Sequence, residues 1–499
     1  MADHGKNTAG RSFGKPVAVL ASVLSMIFSV PTIAQQAPPT QLAAPGPDAR
    51  IGFLVEEHGL SEAAAAEQLA LTDRFQVEID QLITTFPDSY LKTIYHYGTP
   101  FRIDVVFSRD VAANELTRAV PSELRRSVKV QRSRFTRAEI MEGKESILAL
   151  VTPVLDSVGV SFDFEQDRFT IFVIDDAAEK TAESLLTPDL RTMVTFGRGP
   201  GETEAGFNTP ADDPTHSGKG SIWGGWPLRV QDAYSSAVCS SSFIVMDTTA
   251  NQPQLLTAGH CGTGAMSVRW SDGTMKSMGS PLYRANGGNA DIQTRWGAFL
   301  TTDGYFWIDN DVSGSFQYDC DVAGNNCKTK NWRNVYGGVS TAGYVAVTDA
   351  VKGNSWSSYG WNDNHPVNDI VCKHGMMTGV TCGRIVDSEY DYEGEGVTYT
   401  NLVRVLVNDS WDAAGSKGDS GGSVFKITNT SGTFAQATAV GVISGGTFAG
   451  NGTLRGYAPC SASIRGQCHV IYTPIDRIND NNRPLAIDPA GSGTPIDVN

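Results

Sequence analysis

The chain has 499 residues, of which 54 are acidic and 39 basic, for a formal charge of −15 at neutral pH. The length suits about two to four domains and leaves ample material for a buried core. The acidic balance argues against nucleic acid as a main partner, because phosphate binding needs a basic surface, and the charge reads instead as a solubility device.

Residues 1–34 come first. Lys6, Arg11 and Lys15 precede an apolar run from Val17 to Val30, and Thr32-Ile33-Ala34 then offers small residues at a cleavage spacing. This predicts a signal peptide. The run contains Ser22, Ser25 and Ser29 and falls short of the roughly 20 apolar residues of a membrane span. The remainder of the chain is therefore expected to be secreted (extracellular or periplasmic), with no membrane contact after cleavage.

The segment 35–200 opens with a Gln-, Pro- and Ala-rich linker to about residue 50 and contains no cysteine. Ser61 followed by Glu62-Ala63-Ala64-Ala65-Ala66-Glu67 predicts a capped helix. Arg102–Phe107 predicts a strand. Ile147, Leu148, Val151 and Leu155 recur at helical spacing within 144–158. Two alternating runs, Val160–Phe164 and Phe169–Ile174, flank a polar turn and predict a hairpin. The segment is α+β.

Residues 201–221, rich in Gly, Pro, Thr and Asp, predict a linker and a site of proteolytic nicking. From 222 to 499 the texture is all-β. Ser242–Met246, Met266–Trp270 and Ala439–Ile443 are strand-like and separated by Gly, Asn and Ser turns, while the tail after about 478 reads as irregular and polar. All eight cysteines lie here, in close sequential pairs: Cys239/Cys261, Cys320/Cys327, Cys372/Cys382 and Cys460/Cys468. An even count in an exported chain predicts disulfides rather than a metal site. Sequence leaves many connectivities open. Sequential pairing is expected because each closed loop is short.

Three short strings supply the parts that acyl transfer needs: a nucleophile, a base and its orienter, and a cradle for the oxyanion. Leu256-Thr257-Ala258-Gly259-His260-Cys261 offers the base, and Cys239–Cys261 would fix its turn, at about 3 kcal/mol for a loop of this order. Gly418-Asp419-Ser420-Gly421-Gly422 offers the nucleophile Ser420. Glycines there let the amides of Gly418 and Ser420 converge as an oxyanion hole. Asn289-Ala290-Asp291-Ile292 lies between the two, and Asp291 would accept from His260 and hold its tautomer. Asp309 and Asp311 are rivals for that role.

The chain order His, Asp, Ser differs from the subtilisin-like and α/β-hydrolase orders. With these motifs the sequence resembles the chymotrypsin-like serine proteases, in particular the bacterial streptogrisin and α-lytic protease branch. Three further strings support the branch: Val371-Cys372-Lys373-His374-Gly375, then Thr378-Gly379 with Cys382-Gly383, and Ser444-Gly445-Gly446. The motifs span about 239 to 446.

The resemblance implies an all-β catalytic domain over 222–499, of two six-stranded antiparallel β-barrels with the site between them. It implies that 35–200 is a pro-region that aids folding and inhibits the product, and that maturation occurs within 201–221. Protein or peptide substrates are implied, and no cofactor. The resemblance makes Ser444, Gly445 and Gly446 the segment that pairs with substrate, and puts Ala414 and Gly415 in the wall of the primary pocket. Ala414 stands where trypsin-like enzymes carry aspartate, so cleavage after Arg or Lys is not expected. An arginine that pairs with the aspartate before the nucleophile is replaced by Lys373, which implies a Lys373–Asp419 ion pair. Ser416 stands where the branch has a cysteine, and Cys460–Cys468 could substitute. The stretch 297–366 is longer than the family pattern, and is read as a surface insertion or a hairpin near the cleft.

Overall fold

The structure is a computed structural model. It describes residues 49–120, 122, 125–199, 202–203, 225, 227–231, 236–247, 249–250, 252–269, 275–296, 318–319, 328–329, 345–350, 364–375, 379–394, 396–407, 418–429, 435–447, 469–478, 485–487 and 496–497. The signal segment, most of the 201–221 linker and of the 297–366 insertion, Ala414, Gly415, Ser416, Cys320, Cys327, Cys460 and Cys468 lie outside the described residues.

The N-terminal part is α+β. Its elements are α1 (Ala49–His58), α2 (Glu62–Thr85), β1 (Tyr90–His96), β2 (Arg102–Phe107), α3 (Ala113–Ala119), β3 (Val128–Arg132), α4 (Arg137–Val151), β4 (Ser157–Asp163), β5 (Arg168–Val173), α5 (Asp176–Leu185), α6 (Pro188–Met193), β6 (Val194–Arg198) and β7 (Glu202–Thr203). Ser61 caps α2 by accepting from the Ala64 amide at 3.2 Å. The helix predicted over 144–158 begins earlier, at Arg137, and ends at Val151. Thr136 and Glu139 form a reciprocal capping box at its start. Thr152 is still helical, but Pro153 has no N–H to continue the ladder, and by Ser157 the chain is already in β4. The predicted hairpin is β4–β5, paired antiparallel.

The next strands are β8 (Pro227–Gln231), β9 (Ser236–Ser240), β10 (Ile244–Asp247), β11 (Gln252–Thr257), β12 (Ala265–Arg269), β13 (Met275–Gly279), β14 (Tyr283–Gly287) and β15 (Ala290–Trp296). They form two sheets that meet at the corner 241–243. One runs β13-β12-β8-β9. The other begins β14-β15-β11-β10 and is extended by two strands from the tail, β25 (Leu485–Ile487) and β26 (Ile496–Asp497). The tail is thus not irregular throughout. Leu485-Ala486-Ile487 is a short apolar run that β10 can take as an edge partner.

Short strands β16 (Tyr318–Asp319), β17 (Lys328–Thr329) and β18 (Val345–Ala350) lead to β19 (Ile370–Gly375), β20 (Gly379–Gly394), β21 (Val397–Val407), β22 (Ser423–Asn429), β23 (Ala435–Thr447) and β24 (His469–Pro474). The last six pair antiparallel in the circuit β19-β22-β23-β24-β21-β20, and β20 pairs again with β19. Val371, Ile385, Val403, Val405, Val424, Val440 and Val470 fill its interior. Burial of each such side chain stabilises by about 1.5–3 kcal/mol. In the first half, the described residues pair as the two sheets above.

The two parts share one sheet and one core. The hairpin of β20 and β21 extends beyond the circuit, and Val158, Gly159 and Val160 of β4 pair antiparallel with Glu393, Tyr392 and Asp391. Phe53, Leu69, Tyr95 and Ile103 belong to the same apolar cluster as Phe243, Ile292, Ile370, Phe425 and Val442. Two lysines of the N-terminal part are buried against acids of β20. Lys92 lies 2.9 Å from Glu389, and Lys144 lies 2.9 Å from Asp391.

Candidate active site

His260 sits in a single turn of 3-10 helix, Gly259–Cys261, at the end of β11. The Cys239–Cys261 disulfide ties this turn to β9. Thr257 Oγ1 donates to the Ser240 carbonyl at 2.8 Å and fixes the entry to the turn. Gly259 is required by close approach, since a Cβ there would collide with the Ala285 carbonyl oxygen.

Asp291, on β15 between β14 and β11, is fully buried. Its Oδ2 lies 2.6 Å from His260 Nδ1, and its Oδ1 accepts the His260 amide at 2.8 Å. Two bonds to one carboxylate fix both ring and backbone, and they favour the tautomer with hydrogen on Nδ1. The Asp291 amide donates to Thr473 Oγ1 at 3.1 Å, and Thr473 Oγ1 is 2.8 Å from Ser444 Oγ. Thr473 therefore links the first half to β23 and β24 directly beneath the carboxylate.

Ser420 is buried on the loop between β21 and β22, held from two sides. The Ser240 amide donates to the Ser420 carbonyl at 2.7 Å, and Ser240 Oγ donates to the Gly418 carbonyl at 2.7 Å. The Gly421 amide donates to the Ile443 carbonyl at 2.7 Å. Gly418 has φ +102° and Gly421 +86°, in the region that favours glycine. A Cβ on Gly421 would collide with Thr257 Oγ1 and the Ser240 carbonyl, so the loop lies hard against the end of β11. The structure thus brings His260 and Asp291 into contact and hangs the Ser420 loop from Ser240 of β9, whose neighbour Cys239 is bridged to Cys261. His260 Nε2 is buried and has no hydrogen-bond partner among the described residues. Such bonds are often long in unliganded sites and tighten with substrate.

Lys373 Nζ lies 3.4 Å from Asp419 Oδ2, both side chains buried. The ion pair implied by the resemblance is present. Burial pulls the Lys373 ammonium below its ordinary value, and Asp419 opposes that. Cys372–Cys382 is formed between β19 and β20. Ser444, Gly445 and Gly446 lie on β23. Gly445 pairs antiparallel with Thr203, and Gly446 with Glu202, so β7 runs along this segment. Sequence reasoning missed Thr473, Gln293 and Arg295. Only the alternation of polar residues after Asp291 gave a signal for the last two.

No family model matches the sequence, and no curated protein matches it. Among solved structures, Nocardiopsis protease is 19% identical, with a TM-score of 0.32 over 54% of this chain and 98% of its own. Thermobifida fusca protease A is 21% identical, with a TM-score of 0.30 over 52% of this chain and 94% of its own. An alpha-lytic protease homolog, N4, is 16% identical, with a TM-score of 0.30 over 52% of this chain and 95% of its own. All three are proteases. The similarity covers about half of this chain.

Proposed function

We propose that the chain is a secreted serine endopeptidase made as a pro-enzyme, with His260, Asp291 and Ser420 as its triad. The observation that carries this reading is the two-point grip of Asp291 on His260, with the Ser420 loop bonded to Ser240 of β9, next to the Cys239–Cys261 bridge.

In the reaction, His260 Nε2 takes the proton of Ser420 Oγ as that oxygen attacks the substrate carbonyl. Asp291 holds the ring and stabilises the imidazolium that forms. The amides of Gly418 and Ser420 receive the oxyanion, each worth roughly 3–4 kcal/mol in the transition state. His260 then protonates the leaving amine, and water repeats the cycle on the acyl-enzyme. Activity falls when acid protonates His260.

The N-terminal part acts as a pro-region. Its strand β7 lies along Gly445 and Gly446, where an extended substrate would add, which supports a role as inhibitor. Its β4 completes a sheet begun by β20, which supports a role as folding aid, because non-local strand pairing is slow. Maturation falls within 201–221.

Labelling of the secreted protein with a fluorophosphonate, read by intact mass beside Ser420→Ala, tests the reading. One adduct, absent from the variant, on a species beginning within or just after the linker is expected. A folded, processed chain that takes no adduct would overturn it.

A further inference from the structure

Asp291, Gln293 and Arg295 occupy alternate positions of β15, so their side chains share one face. All three are fully buried. Each grips the chain segment that carries His260. Asp291 takes the His260 amide and Nδ1. Gln293 Nε2 donates to the Ala258 carbonyl at 2.8 Å. Arg295 Nη2 donates to the Gly262 carbonyl at 2.8 Å, and Nη1 to those of Gly264 at 2.7 Å and Gly279 at 2.6 Å. The rungs are coupled, since Arg295 Nη2 also donates to Gln293 Oε1 at 3.0 Å. From β14, Arg284 Nε donates to the Gly259 carbonyl at 2.6 Å.

Arg295 has only neutral oxygens as acceptors in these bonds. Burial pulls its pKa down to about 10, and the charge of Arg284 adds to that. Burying a cation on neutral acceptors is costly. A guanidinium is nonetheless suited to this place, because its fork can span carbonyls on both sides of one turn.

We propose that Gln293 and Arg295 are positioning residues for His260. Together with Asp291 they form a ladder that fixes the whole turn from Ala258 to Gly264 and so sets the direction of the imidazole. This rests on the reading of His260 as the base. A turn held at three successive heights cannot pivot about the Asp291 bond. Reaction rates are sensitive to ring displacements of about 1 Å, which can cost about 100-fold.

The test uses Gln293→Glu, Arg295→Lys and Arg295→Met in the full chain, with Thr294→Val as control. Thr294 points to the opposite face of the same strand, and its hydroxyl has no hydrogen-bond partner among the described residues. Gln293→Glu keeps an acceptor for Arg295 but cannot donate to Ala258. Expected are a fall in kcat of about ten-fold or more with KM nearly unchanged, and an acid limb of the pH–rate profile displaced to higher pH by the new carboxylate. Arg295→Met loses more than Arg295→Lys, which keeps donors for some of the carbonyls and partly rescues the rate. Thr294→Val changes neither. A second readout needs no turnover. In protein labelled with 15N-histidine, the His260 Nδ1 proton exchanges faster with water in Gln293→Glu and Arg295→Lys than in wild type or Thr294→Val. Folded variants with wild-type kcat, pH profile and Nδ1 exchange would overturn the ladder. Faster exchange in the variants, with no hydrolysis by the wild-type protein, would retain the ladder and remove the protease reading.

Discussion

At the scale of single residues, the site is a set of short bonds with different sensitivities. Asp291→Asn keeps the shape but reverses the preferred tautomer of His260. A loss of about 10,000-fold in kcat is expected from steady-state kinetics, with the fold intact by circular dichroism. Lys373→Met leaves the Asp419 carboxylate buried without its cation. That should cost about 3–5 kcal/mol in urea unfolding, and it should also loosen the loop that presents Ser420. The strings around His260 and Ser420 could be read because their glycines stand beside those residues in the sequence, although what the glycines admit, the Ala285 carbonyl and Thr257, lies far along the chain. Thr473 was not legible, because its partners Asp291 and Ser444 lie far away in the chain and a lone threonine carries no pattern.

At the scale of elements, type was legible and extent less so. Arg102–Phe107 and the β4–β5 hairpin follow their alternation. The start of α4 was missed because the capping box precedes the apolar periodicity. The tail strands were missed because three apolar residues make a strand only when β10 offers an edge. Element β20 also carries the buried Asp387. Burial pushes Asp387 up to about 6, against the opposing pull of the Glu389 amide, Lys144, Ser161 and Arg404. A carboxyl raised in the folded state stabilises fully below its unfolded value and loses that contribution as pH rises through the folded one. Asp387 therefore lowers stability between about pH 4 and 6, by roughly 3 kcal/mol in total. His365, pulled down to about 3 by burial with Lys92 and Arg477 adding, acts in the opposite sense there. Comparing Asp387→Asn with wild type isolates the first effect. The variant should gain on wild type as pH rises from 4 to 6 in chemical unfolding, and a constant difference would sink the assignment.

At the scale of the whole molecule, the N-terminal part and the circuit of six strands are one folding unit, joined through β4 and β20. Sequence composition marks a change of texture where the cysteine-free segment ends, but the union of the two parts was invisible, because it depends on pairing residues more than 200 positions apart. Lys92 and Lys144 are the chemical sign of that union. Lys92→Met or Lys144→Met strands a buried carboxylate and should lower the melting temperature of the full chain, by an amount equivalent to about 3–5 kcal/mol for each. Arg198, paired with Asp176 on the surface, should contribute about 1 kcal/mol or less on replacement by methionine, and that contribution should vanish in high salt.

Strand β20 reads Asp387, Glu389, Asp391, Glu393 at every second position, a row of four carboxylates. While β4 covers the end of this strand, Lys92 pairs with Glu389 and Lys144 with Asp391, so two of the four carboxylates are matched. On the proposed pro-enzyme reading, in which the N-terminal part leaves, the same strand becomes an open sheet edge with a free row of backbone donors and acceptors. Open edges invite pairing with another molecule, and like charges opposite one another repel it. In the proposed mature protein that edge would carry its own safeguard against filament formation, and the safeguard would be ionic. It holds at neutral pH and fails in acid, where the carboxyls take up protons and light scattering should rise.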